Sequence, residues 1–383
     1  MREFVFKILG FGLLPLIFLL PPFYILNNSG ESFVTKNSFD KLIQSNRKYL
    51  IGYFYDESNY EYLKWKEIQI REKLDVMVIG TSRVLQFRED MFTNASFFNA
   101  GTTKVIFNSI SDYLPFLRSI GEDKYPKVLI IGLDQFMFNS FWDPLQGETS
   151  LETKIPYKAF PASSSLKNVY EDLLNGRIDL ETLFPVKDEE NIAILGLNAN
   201  VNKMGYRKDG SMLYGKQIEK LMNGDSTAGD FGFKFSFQQI EDNEGIFKHG
   251  MEVNPRSLNE LNKLLDFCKN NGIYVIAYLP PYADAVNAVL ESSGNYQYME
   301  QVMGSIEHSF EINGFELWNM RYLSTFGSND DEMLDGFHGG AVTKLRMIIF
   351  LLENGSKLNE YTDLNILKND LKNRKNRYLV YDY

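Results

Sequence analysis

A chain of 383 residues that is 44% hydrophobic and 14% aromatic has enough apolar surface for one large domain or two ordinary ones, which excludes a disordered polymer. Its net charge of −10 excludes the basic surface that phosphate backbones need, so no nucleic acid is expected as a partner. A single cysteine, Cys268, excludes an internal disulfide, and no cysteine–histidine group has metal-ligand spacing, so neither a metal nor a cofactor is expected.

At the N-terminus, Ile8 to Leu26 is uncharged and mostly apolar, about the length a helix needs to span hydrocarbon. Arg2 and Lys7 precede it, which keeps that end in the cytoplasm and puts the rest of the chain outside the cell membrane. Pro15, Pro21 and Pro22 weaken or kink the helix. An uncleaved anchor over residues 1–30 is the favoured reading. A cleaved signal peptide is the main alternative, although Asn27-Asn28-Ser29-Gly30 is a poor cleavage site. A helix buried in a soluble core is the third. Residues 31–73, polar and rich in tyrosine, read as a short helical stalk.

The domain proper is expected over 74–355. Asp75 to Gly80 is a continuous apolar run ending in glycine, the signature of a strand buried on both faces. The signature returns at Lys127–Gly132 and Ile273–Leu279, with shorter versions at Phe97–Gly101 and Phe315–Trp318. Helical spacing covers Val105–Ile120, Ser257–Lys269 and Ala341–Leu352. Cys268 falls on the apolar face of the second of these, as a packed and inert thiol. Strands alternating with helices predict an α/β fold, a doubly wound and mostly parallel sheet flanked by helices. Residues 140–254, polar and scattered with glycine, break the rhythm and read as an inserted subdomain or lid. Residues 356–383, with Lys368, Lys372, Arg374, Lys375 and Arg377, read as a polar tail made of a helix and a solvated end.

The chemistry lies at the ends of these strands, where such sheets build their sites. Ser82 follows the first strand, Gly101 the second and Asp134 the third. Asp335-Gly336-Phe337-His338 adds an acid and a base three residues apart. A serine needs a base to become a nucleophile, and the base needs an acid to fix its tautomer. Taken singly, Ser82 is an ordinary helix N-cap and Gly101 an ordinary turn. Taken together, the Ser82 and Gly101 N–H groups can face one developing oxyanion.

Four segments resemble the conserved blocks of the SGNH (GDSL-like) hydrolase superfamily. Gly80-Thr81-Ser82-Arg83 is similar to block I and Asn99-Ala100-Gly101 to block II. Gly132-Leu133-Asp134 stands where block III has glycine-x-asparagine, and Asp335-Gly336-Phe337-His338 matches block V. The resemblance covers about residues 74–350 without the insertion. It implies a flavodoxin-like layering, Ser82 as nucleophile, His338 as base and Asp335 as its orienter. It also implies Ser82 and Gly101 as oxyanion donors, and places Arg83, Asn99 and Arg207 toward the substrate. The departure is Asp134. An ionised aspartate cannot donate, so it is protonated, or binds something else, or leaves the donation to Asn139 or another group; capping the turn is its structural alternative. With an anchor, the chain is similar to the proteins that acylate surface polymers, such as those of alginate and cellulose acetylation and of teichoic-acid D-alanylation. That similarity implies a surface glycan or exopolysaccharide as acceptor and a membrane-bound O-acyltransferase as partner. The alternatives are a carbohydrate esterase of the same fold and a non-catalytic scaffold.

Overall fold

The computed structural model describes residues 2–102, 107–142, 157–159, 163–179, 188–189 and 191–382. They fall into two compact units. One is built from Met1–Lys66, Pro156–Lys208 and Met212–Lys216, the other from Glu67–Ile155, Asp209–Ser211 and Gln217–Tyr383.

The first unit opens with a helix over Arg2–Asn28, of which Gly10–Asn28 is long and apolar enough to cross a membrane. Phe11, Ile17, Phe18 and Leu20 on it are exposed. Its last turn is different: Ile25 and Leu26 are fully buried against Val169, Ile178 and Leu197. The expected stalk is folded instead. Residues 31–73 contain helices at Lys36–Gln44 and Asn59–Ile70 and a strand, β1, at Lys48–Ile51. Tyr49, Leu50, Ile51, Tyr53, Tyr60 and Tyr62 are buried, and a stalk would have left this aromatic surface in water. β1 is central to a five-stranded sheet with β5 (Asp188–Glu189), β6 (Ile192–Leu195), β7 (Gly205–Arg207) and β8 (Met212–Leu213), in the order β5-β6-β1-β7-β8. Only the β1–β6 pairing is parallel. The Glu31 carboxylate accepts the N–H groups of Phe54, Tyr55 and Leu197, each at 2.8 Å, while burial pushes its pKa up to about 7.

The second unit carries the sheet that the apolar runs predict. Its strands are β2 (Val76–Ile79), β3 (Phe97–Asn99), β4 (Val128–Gly132), β9 (Tyr274–Leu279) and β10 (Glu316–Asn319), all parallel, in the order β10-β9-β4-β2-β3. Every residue of β2, β3 and β4 is buried, which is why these strands read as unbroken apolar runs. Within the unit, the second strand made lies outside the first, and the later three follow on the other side. The direction of winding reverses between β2 and β4, the place where sheets of this kind build sites at the carboxyl ends of their strands. Thr81-Ser82 and Leu133-Asp134 line that reversal.

Helices flank the sheet. Pro255–Asn270 starts on the Asn254 side chain, with proline in its first turn, and buries Leu261, Leu264, Leu265 and Cys268. Burial pushes the Cys268 thiol up to about 12. The helix expected from Val105 begins only at Tyr113, and residues 103–106 lie outside the described residues. The Asp112 carboxylate accepts the N–H groups of Asn108 and Ser109, bonding that favours a turn and delays the helix. The segment 140–254 is not one insertion. Its described part divides between the units, and Gln217 onward belongs with the parallel sheet. The C-terminal end is not solvated either. After a helix at Leu364–Lys372, Tyr378 and Val380 are buried, and the Tyr378 carbonyl accepts the Val342 N–H. An aromatic and a β-branched side chain outweigh the polar composition around them.

Candidate active site

Three glycines end three neighbouring strands, and one side chain explains all of them. A Cβ on Gly80, Gly101 or Gly132 would stand 2.7, 2.3 or 2.6 Å from a methyl of Val84. Val84 is thus seated in a cradle at the carboxyl ends of β2, β3 and β4. It closes a single 3-10 turn, Ser82–Val84, that begins with the serine. Thr81 caps this turn, its hydroxyl accepting the Arg83 N–H at 3.3 Å. The Asn99 amide fixes the far side, donating to the Val84 and Phe87 carbonyls at 2.8 and 3.0 Å. Gly101→Ala is therefore expected to destabilise the protein by about 1–3 kcal/mol through overpacking. Val84→Ala in the same chain should recover most of that loss, as a double-mutant cycle in denaturant would measure.

The acid and base reach the serine from the other end of the chain. His338 Nε2 lies 2.7 Å from Ser82 Oγ, and His338 Nδ1 lies 2.6 Å from Asp335 Oδ2. The other Asp335 oxygen accepts the backbone N–H groups of Phe337 and His338 at 2.9 and 2.8 Å. Burial by itself raises the Asp335 carboxyl. The His338 ring, its hydrogen bond and the two N–H groups outweigh that and hold the carboxyl below its usual range. A bridge between Met333 and Gly339 closes the loop, and Asp230 supports it from outside. The Asp230 carboxylate takes the Gly336 N–H at 3.2 Å and the Ser236 hydroxyl at 2.5 Å. Gly336 has to be glycine, since a Cβ there would lie 2.1 Å from the Ser236 oxygen.

Several residues expected at the substrate are not free to meet it. Arg83 is 3% exposed, and every nitrogen of its guanidinium has an acceptor. It pairs with Asp134 at 2.8 Å and donates to the Pro281 carbonyl at 2.6 Å, the Phe337 carbonyl at 3.1 Å and Gln135 at 3.3 Å. It also lies over the Tyr282 ring, 4.4 Å from the centroid. A buried guanidinium needs this many acceptors, so Arg83 holds the site together and does not read a ligand. Asn99 is fully buried in its turn-holding role. Arg207 is buried in β7 of the first unit. The proposed oxyanion donors change as well. The Gly101 N–H is taken by Asn99 Oδ1 at 3.0 Å. Asp134 accepts from Arg83 and, at 2.6 Å, from the Thr81 hydroxyl, which leaves it nothing to donate. Asn139 gives its amide protons to the Lys248 and His249 carbonyls. The Ser82 N–H has no hydrogen-bond partner among the described residues.

Sequence reading missed Asp230, Tyr282 and Lys344. Lys344 was the most visible, a charge inside the apolar face of Ala341–Glu353. Its ammonium stands 5.5 and 5.6 Å from the Phe87 and Tyr278 ring centroids, and burial, with Arg83 adding, pushes its pKa down to about 7. Asp230 could not be found, because nothing local to it points to a loop about 100 residues later. No family model matches the chain, and no curated protein matches it.

Proposed function

We propose that the chain is a membrane-anchored, SGNH-like serine acyltransferase that moves an acyl group, acetyl in the simplest case, onto a glycan outside the cell membrane. The observation that carries this reading is the unbroken relay Ser82 Oγ–His338–Asp335, with contacts of 2.7 and 2.6 Å. Asp335 fixes the tautomer in which His338 Nε2 accepts. His338 takes the Ser82 proton as Oγ bonds to the acyl carbon, and returns it to the departing oxygen. A sugar hydroxyl then gives its proton to His338 and takes the acyl group from Ser82, and His338 returns that proton to Ser82 Oγ. With water in place of the sugar, the same steps make an esterase. The exposed apolar side chains of Phe11, Leu13, Ile17, Phe18, Leu19 and Leu20 support a single membrane crossing with residues 31–383 outside. A membrane-bound O-acyltransferase fits as the source of the acyl group.

A scaffold without catalysis is the second reading, and one observation favours it: Gly101 and Asp134 are both occupied where oxyanion donors are expected. Full-length protein in detergent, incubated with 4-nitrophenyl acetate and quenched, distinguishes the readings. We expect an acetyl group on the peptide carrying Ser82, and faster turnover when a surface glycan is added, with acetyl appearing on the glycan. Turnover indifferent to glycan identifies the esterase. A chain that acquires no acetyl group is the scaffold.

A further inference from the structure

An acyl-transfer site needs donors for the oxygen that becomes negative, and only the Ser82 N–H remains of those the sequence offers. We propose that the Thr102 hydroxyl is the second oxyanion donor, an inference that rests on the serine-nucleophile reading above. Thr102 follows Gly101 at the carboxyl end of β3. The Ala100 N–H bonds the Val78 carbonyl at 2.8 Å, and the Thr102 N–H bonds the Gly80 carbonyl at 3.2 Å. These bonds carry the β2–β3 ladder past the ends of both strands. In the register that pairs Val78 with Asn99, Thr102 stands opposite Thr81, the residue before the nucleophile. Neighbouring strands are about 4.8 Å apart, so Thr102 is beside the serine turn.

Paired positions in a parallel ladder put their side chains on the same face. Two threonines therefore flank the start of the serine turn. The Thr81 hydroxyl is spent on Asp134. Thr102 is 2% exposed, and its Oγ1 has no hydrogen-bond partner among the described residues. A buried hydroxyl without a partner is uncommon and calls for a reason. A hydroxyl also turns about its C–O bond, so its proton can follow charge as it develops. In the reaction, Ser82 Oγ bonds to the carbonyl carbon and its proton passes to His338 Nε2. The π electron pair moves onto the carbonyl oxygen, which accepts from the Thr102 O–H and the Ser82 N–H. When the tetrahedral adduct collapses, that pair returns, and His338 protonates the leaving alcohol.

The test is the rate of Ser82 acetylation by 4-nitrophenyl acetate, with full-length protein, read beside Tm. Thr102→Val should slow acetylation by about 10²–10³-fold with KM little changed, the cost of one oxyanion donor. Its Tm should equal or exceed the original, because the hydroxyl removed satisfies nothing in the fold. Thr102→Ser should retain the rate. Thr102→Ala reports the same loss should valine crowd the site. Undiminished acetylation in both Thr102→Val and Thr102→Ala overturns the assignment while leaving the nucleophile in place. Equal slowing in Thr102→Ser overturns it too, since volume and not the hydroxyl then matters. A wild-type protein that never acquires acetyl on Ser82 overturns the nucleophile and, with it, the role of Thr102.

Discussion

Ser82→Ala is expected to lower kcat/KM on an activated acetyl ester by about 10⁴–10⁶-fold, the scale set by removing a nucleophile that works as a unit with its base. Folding should be untouched. The turn is capped by Thr81 and wedged by Val84, and among the described residues the Ser82 hydroxyl bonds only His338. His338→Ala should cost a similar factor, and the double variant little more, because each single change already breaks the relay. Kinetics and thermal melts on the three proteins check this, and equal additive losses would show that Ser82 and His338 do not act together. The pH behaviour follows from Asp335. Its folded pKa lies below the ordinary carboxylate value, so its contribution to stability is complete above that value. The contribution is lost only as pH falls through the lowered one. The Asp335–His338 contact and the stability it adds should therefore persist in mild acid, which thermal melts across pH would check.

The second large effect is on stability. Arg83→Met or Asp134→Ala alone leaves the other charge buried without its partner, and each is expected to cost about 3–5 kcal/mol. Replacing both by apolar residues of similar volume should recover much of that loss, which denaturant titration of the full cycle measures. Catalysis should fall further than stability explains, because Arg83 also holds the Phe337 carbonyl, next to the base. Asp134→Asn is the sharper probe. A carboxylate facing the oxyanion would make this variant faster. The geometry, with both Asp134 oxygens bound by Arg83 and Thr81, predicts a slower and less stable protein.

The parallel sheet was legible because β2, β4 and β9 are buried on both faces and so carry no polar interruption. The serine, histidine and aspartate were legible because strand ends and a three-residue spacing constrain them locally. The first sheet was not. β1, β7 and β8 are two to four residues long and drawn from a mixture of lysine, tyrosine, arginine and methionine, which leaves no period to read. Gly101 was read for its backbone N–H when its missing Cβ mattered more, since the need for Val84 to fit there is a tertiary fact. Arg83 read as a ligand contact because its acceptors, the Pro281 and Phe337 carbonyls, are about 200 and 250 residues away.

The central position of β1 has a consequence for how the protein is made. β2, β3 and β4 leave the ribosome within a short span and can pair as soon as they emerge. β1 emerges before them, yet both of its neighbours come later, β6 about 140 residues downstream and β7 further still. At 5–20 residues per second, β1 waits about 7–30 s with both edges unpaired. Tyr49, Leu50 and Ile51 are apolar, and an open apolar edge recruits other strands. The flanking Lys48 and Gly52 interrupt that edge during the wait. The first strand made is thus the one that stays longest with neither of its neighbours.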